Sequence, residues 1–358
     1  MSARTRTPPF HLFAWSPVLR FGLLTFTASL LIASQPTAYG EGLPALTSLS
    51  NAHLEFTVPE KDYVIVSRDD LEAVIVNNAA VNDEVLKDHR AGYSGLAKLT
   101  HTKHKDNLFV PGIAGLNYEH IHDGTVQPRK TLFEPRNAPM QLRVIDERTV
   151  ELYQAPTPKY KLESVLRYQF IGDNTIEMTL ECIPRERAFT NNYVGLFWAS
   201  YIHKPESKDI HFMGFPNAEA NPDKPKGKPV WIRGITPSHG VDATHVGWND
   251  KRRFAHDENF PLTLVFNRSK HQYAEPMYYG VSNNMAWICM FREKDEMRLS
   301  QSPSGGGKGN PAWDFQYFIP DYKINTRYQM VMRAKYVPFS SHDQVLKDSA
   351  PHMDALNK

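Results

Sequence analysis

Cysteine is nearly absent, with Cys182 and Cys289 alone in 358 residues. Two thiols make no disulfide framework, although one bridge could form in an oxidising compartment. Both lie in apolar runs, TLECIP and AWICMF, where a buried thiol behaves as a small hydrophobe, so a thiol-based mechanism is unattractive. Excess charge of one sign is lacking too: 41 lysines and arginines face 39 aspartates and glutamates. That balance argues against nucleic acid as a partner, because such binders concentrate positive charge to release counterions. Beyond the first forty residues no apolar run approaches the roughly 20 residues of a membrane span, so none is expected in the mature chain. No repeat of fixed period occurs, which leaves a propeller without support. The loop GGGKGN (305–310) lacks the GKS or GKT ending and a following helix pattern, which excludes a phosphate loop and suggests the rim of a cleft.

What is present begins with a leader. Arginines at 4, 6 and 20 precede an apolar run over 21–33, and Ala38-Tyr39-Gly40 follows, the order of a secretory signal peptide over 1–40. An uncleaved anchor is the alternative. Export to a periplasm or the extracellular space is therefore expected.

The rest alternates at the period of a strand. In NTIEMTLECIP, Ile176, Met178, Leu180 and Cys182 share one face and Thr175, Glu177, Thr179 and Glu181 the other, which predicts a strand with one wet side. MQLRVIDERTVELYQ reads as two strands joined at DER. In RYQMVMRAKYVPF, Tyr328, Met330, Met332, Ala334 and Tyr336 share a side. Further strands are expected in DYVIVS, EAVIVNN, LESVLRYQFIG, YVGLFWASYIH, LTLVFN and NMAWICMFRE. Helical periodicity is confined to NDEVLKDHRAGYSGLAKL (82–99) and SSHDQVLKDSA (340–350), where Ser341 or Asp343 could cap a short helix. One-sided strands need a covering layer, so the expected fold is all-β: a large two-sheet antiparallel sandwich with few short helices, one domain over 41–340 and a tail or short helix over 341–358.

The order of these features resembles the galactose mutarotase-like β-supersandwich superfamily. The similar segments are YKLESVLRYQFIGDNTIEMTLECI, like the mid-chain hairpin of those proteins, and NPAWDFQYFIPDYKINTRYQMVMRAKYVPF, where a proline-containing turn introduces a long last strand. The resemblance spans 50–337 and rests on pattern and turns. It implies a sugar-active fold; in the superfamily's epimerases, histidines and a glutamate do acid–base work on the ring, and no residue here is matched to them individually.

The densest polar stretch is NYEHIHDG (117–124). As a strand it places Tyr118, His120 and His122 on one side and Asn117, Glu119 and Ile121 on the other. Two imidazoles at i and i+2 suit either two ligands of a divalent metal ion or an acid and a base; a structural role is the third reading. Trp231 and Arg233 share parity as a platform and a fork for substrate, and Trp313 could stack on it. His239 and His245 flank a loop, and with Glu275 complete a candidate acid–base set. A carboxylate pair for glycoside hydrolysis could come from Glu119, Asp242, Asp257 and Glu275.

Three functions compete. An exported enzyme acting on a sugar or polysaccharide (epimerase-, lyase- or hydrolase-like) requires His120, His122, His239 and His245 to converge in one pocket. A non-catalytic carbohydrate-binding or envelope protein requires an aromatic strip without such convergence. A metal-dependent enzyme requires a third ligand beside His120 and His122.

Overall fold

The computed structural model describes residues 43–216, 227–307 and 309–358, all within a unit spanning Thr37–Lys358; the leader expected over 1–40 lies outside them. Among the described residues no helix is long and apolar enough to cross a membrane.

Three antiparallel sheets form. The first holds β1 (Tyr63–Arg68), β2 (Leu71–Val76) and β3 (Gly95–His101). A five-stranded sheet runs in the order β12 (Thr244–His245), β16 (Arg298–Ser302), β17 (Ala312–Pro320), β9 (Tyr193–Ala199) and β4 (Asn117–His122). The ten-stranded sheet runs β11 (Val230–Gly234), β10 (Ile210–Phe215), β14 (Met277–Ser282), β15 (Met285–Phe291), β18 (Tyr328–Pro338), β8 (Thr175–Pro184), β7 (Leu162–Gly172), β6 (Thr149–Gln154), β5 (Met140–Asp146), with β13 (Gln272–Tyr273) beside β10. The hairpin turns Asp173–Asn174 and Asn283–Asn284 have positive φ throughout, the twist-matched geometry that aspartate and asparagine tolerate best after glycine.

Alternation decides what is buried. Ile176, Met178, Leu180 and Cys182 of β8 join Met330, Met332, Ala334 and Tyr336 of β18 in the main core, against Trp198, Trp313 and Phe315 of the five-stranded sheet. Cys182 and Cys289 are free and buried there. Burial pushes the Cys289 thiol up to about 12 and that of Cys182 higher still, which leaves both inert.

The other face of β8 is not wet. Glu181 is fully buried, taking hydrogen bonds from Arg327 Nη1 at 2.8 Å, Gln329 Nε2 at 3.1 Å and Thr47 Oγ1 at 2.7 Å. The chain entering at Leu43–Ser48 thus covers this face, held by a buried ion pair that alternation alone does not reveal. Two other expectations change. Residues 82–90 form bends, because the Asp83 carboxylate accepts from Val85 N and Leu86 N and so closes a local turn; Gly92 and Gly95, both at positive φ, follow. LTLVFN forms a one-turn helix over Thr263–Phe266 rather than a strand.

The terminal helix His342–Leu356 is capped by Ser341, whose side chain accepts from Gln344 N. Its Val345 and Leu356 pack on Met277, Tyr279 and Ile288, on the ten-stranded face away from the main core. The outward face of the five-stranded sheet carries its own apolar cluster of Tyr193, Phe197, Phe260, Val265 and Phe318, together with Leu132 of the short helix Arg129–Leu132. The candidate site opens on this face.

Candidate active site

A β-bulge in β4 builds the site. Tyr118 pairs with Trp198 and His120 with the adjacent Phe197, so Glu119 is an extra residue and the alternation reverses after Tyr118. Tyr118 therefore enters the core, stacked on Trp198 with ring centroids 5.1 Å apart, instead of sharing a face with the histidines. Glu119 and His120 line a cavity of about 270 Å³. Opposite them, Asp314 occupies the outward position of β17 between Trp313 and Phe315, which face the core. Tyr201, His239, Ser302 and Ser304 complete its polar lining, and Phe197, Leu262 and Leu264 its apolar part.

The Tyr201 hydroxyl lies 2.8 and 2.9 Å from the two Glu119 oxygens, and Arg136 Nη1 donates to Oε1 at 3.2 Å. Glu119 is almost wholly buried, and desolvation raises its pKa despite the opposing effect of Arg136 and the Tyr201 hydrogen bond. Asp314 accepts from Ser200 N at 3.2 Å; burial, then the nearby charge of Glu119, pushes its pKa well above the carboxylate range. Charge on Glu119 thus opposes ionisation of Asp314, as between two acids that share one site. Burial raises the Tyr201 phenol as well, so it donates hydrogen bonds and does not serve as an ionised base.

His120 Nδ1 faces the Leu132 carbonyl at 3.2 Å and must donate, which leaves Nε2 as acceptor, 3.9 Å from Glu119 Oε1. Burial pushes this imidazole well below its usual range and keeps it neutral. Phe133 packs edge-on against it at 4.1 Å. His239, exposed at the rim, places Nε2 2.8 Å from Ser304 Oγ. Gly305, at the start of the glycine loop, also lines the cavity, where an added Cβ would come within 2.8 Å of Ala312 Cβ and 2.9 Å of Tyr201 Cδ1. A side chain at position 305 would narrow the entrance.

The structure separates the other expected residues. His122 shares the outward face with His120 but sits among the rings of Tyr193, Phe260, Phe266 and Phe318, and burial pushes its pKa down to about 3. His245 lies on the core side of its sheet beside Phe212, its pKa likewise lowered to about 3 by burial, so four histidines do not converge. Trp313 is fully buried and donates Nε1 to the Lys208 carbonyl at 2.9 Å, unable to stack on a ligand. Trp231 stacks on His342 of the terminal helix, and Arg233 pairs with Asp209 at 2.5 Å, both remote from the cavity lining. Glu275 is exposed beside the terminal helix. Among the described residues no group of three or more histidine, cysteine, aspartate or glutamate side chains is arranged to hold a metal ion.

Missing from the expected set were Asp314, Tyr201 and Arg136. The signal for Asp314 was available: in AWDFQYF it is the charged residue in a strand whose alternate positions Trp313, Phe315 and Tyr317 are large aromatics, so it points away from the core those rings fill.

No known protein family and no curated protein matches the chain. Among solved structures it is similar to a putative aldose 1-epimerase from Escherichia coli K12, at 9% identity over 77% of this chain and 99% of that one, with a TM-score of 0.41. A galactose mutarotase-like protein from Lactobacillus casei shows 9% identity over 76% and 99%, with a TM-score of 0.42. An α-N-acetylgalactosaminidase from Bifidobacterium bifidum shows 8% identity over 82% of this chain and 39% of that longer one, with a TM-score of 0.43.

Proposed function

We propose that the protein is an exported enzyme acting on a saccharide by proton transfer at the Glu119–Asp314 pair. The observation that carries this reading is the placement of two buried, mutually interacting carboxyl groups in one open cavity, with the Tyr201 hydroxyl on both oxygens of the first. A carboxyl that keeps its proton at neutral pH is a general acid, and its ionised partner is a base. Glycosidic cleavage requires such a pair. The lining also suits a sugar: Ser302, Ser304, His239 and Tyr201 offer hydroxyl and imidazole groups that can meet ring hydroxyls, while Phe197 and Leu262 offer apolar contact for C–H faces. Neutral His120 stands beside Glu119, with Nε2 3.9 Å from Oε1 and free to accept from a ring hydroxyl.

The test is turnover of a panel of neutral and acidic oligosaccharides by the mature protein, Glu119→Gln and Asp314→Asn. Each substitution is expected to lower kcat on the order of 100-fold or more, the usual worth of a positioned acid or base, while the fold is retained. Turnover unchanged in both variants would remove the site from the reaction.

A further inference from the structure

A second cavity, of about 360 Å³, adjoins the first and has a different character: Arg129, Lys130 and Arg136 line it with Phe133 and Asn137, and its lining includes no carboxylate. The two cavities share a wall. Arg136 belongs to the second and donates to Glu119 of the first; Phe133 belongs to the second and packs on His120 of the first; Tyr93, beneath Arg136, meets Tyr201 edge-on at 5.8 Å.

The two guanidiniums are held against aromatic rings. That of Arg136 lies 3.9 Å from the Tyr93 centroid and 4.9 Å from that of Phe133, and that of Arg129 lies 4.7 Å from the Phe133 centroid. Ring contacts occupy a guanidinium face and leave N–H edges for an acceptor. Of the three cations, Arg136 is the one paired with an acid among the described residues, and that acid is the candidate catalytic Glu119. Three positive charges gathered about a single carboxylate, Glu119, repel one another, and a further anion between them relieves that repulsion. The chain as a whole is close to neutral, so the concentration of positive charge is local.

We propose that this basic cavity is a subsite for the anionic substituent, carboxylate or sulfate, of an acidic saccharide whose neighbouring ring occupies the Glu119–Asp314 cavity. The inference rests on the reading of that cavity as a saccharide site. Arg136 then links the two: it orients Glu119 through one N–H and meets the substrate's anion through others.

The experiment is calorimetric titration of the mature protein with four probes: an oligogalacturonate, a sulfated galactan oligosaccharide, a neutral galactan oligosaccharide of equal length, and inorganic sulfate. Wild type, the Arg129→Ala/Lys130→Ala double variant and Asp314→Asn are compared. At least one acidic probe is expected to bind more tightly than the neutral one, and to lose roughly tenfold or more in affinity in the double variant, as removal of charge-assisted hydrogen bonds implies. Asp314→Asn is expected to retain that binding. Which acidic probe prevails distinguishes carboxylate from sulfate. Equal affinity for neutral and acidic probes, no loss in the double variant, binding of none of them, or sulfate alone binding as tightly as the sulfated oligosaccharide would each overturn the proposal. The two readings fail separately. A double variant that binds like wild type, beside an inactive Asp314→Asn, sinks the subsite alone. Full turnover by Asp314→Asn, with charge-dependent binding intact, sinks the catalytic pair alone.

Discussion

Tyr201 and Glu119 are joined through a single proton: the hydroxyl lies 2.8 Å from one carboxylate oxygen and 2.9 Å from the other. The bond favours ionised Glu119 and opposes the effect of burial. Tyr201→Phe is therefore expected to raise the Glu119 pKa further, because a bond that favours the ionised form is lost. The limb of the pH–rate profile that reports Glu119 should move to higher pH. A limb that stays in place in Tyr201→Phe would show that this contact does not tune the acid.

Burial opposes the ionisation of Asp314, at a cost to the fold once pH rises. Its pKa in the folded protein lies above the ordinary value of 3.8, so its contribution to stability is complete below that value and is lost as pH rises through the folded pKa. Asp314→Asn keeps the shape without the charge. At neutral pH this variant is expected to be at least as stable as wild type while inactive, measured by urea midpoint beside turnover. A large loss of stability would mean that the carboxylate is a structural anchor instead.

His122 and His245 work in the opposite direction. Each is buried and neutral, with a pKa of about 3 against an ordinary 6.5. Their contribution is complete above 6.5 and declines as pH falls towards 3, because the unfolded chain takes up the protons first. His122→Phe, in a nest of aromatic rings, is expected to flatten this acid decline in a pH series of unfolding midpoints. An unaltered slope would contradict the neutral, enclosed imidazole.

Glu181 carries the clasp between the entering chain and the ten-stranded sheet. Glu181→Ala removes the carboxylate from its buried pair with Arg327 and is expected to cost about 3 kcal/mol or more in a denaturant melt, as loss of one member of a buried pair does. A change below 1 kcal/mol, roughly the worth of an exposed pair, would mean that water reaches this face.

The strands were legible where alternation continues without interruption. Ile176, Met178, Leu180 and Cys182 announce β8, and Tyr328 through Tyr336 announce β18, because the core-facing side of their shared sheet is apolar and period two is written directly in residue type. The site was not legible to the same degree. In NYEHIHDG one extra residue at Glu119 reverses the pleat, sends Tyr118 into the core and brings Glu119 beside His120, and no residue type signals such a bulge. Asp314 arrives from a strand far away in sequence, so its place beside Glu119 depends on sheet order, whereas Arg136 comes from the short helix Glu134–Asn137 that follows β4. Wet and dry faces were confused for a related reason: Glu181 looks solvated until Arg327 and Thr47 are seen to cover it.

The most direct measurement is a pH titration of the Glu119 and Asp314 side-chain carboxyl carbons by 13C NMR, with Glu119→Gln and Asp314→Asn supplying the assignments. The account requires one of the two groups to remain protonated at pH 7, and the pKa of Asp314 to fall when Glu119 is replaced. Two carboxyls that both ionise near their ordinary values, each indifferent to loss of the other, would contradict the proton-sharing pair on which the proposed chemistry depends.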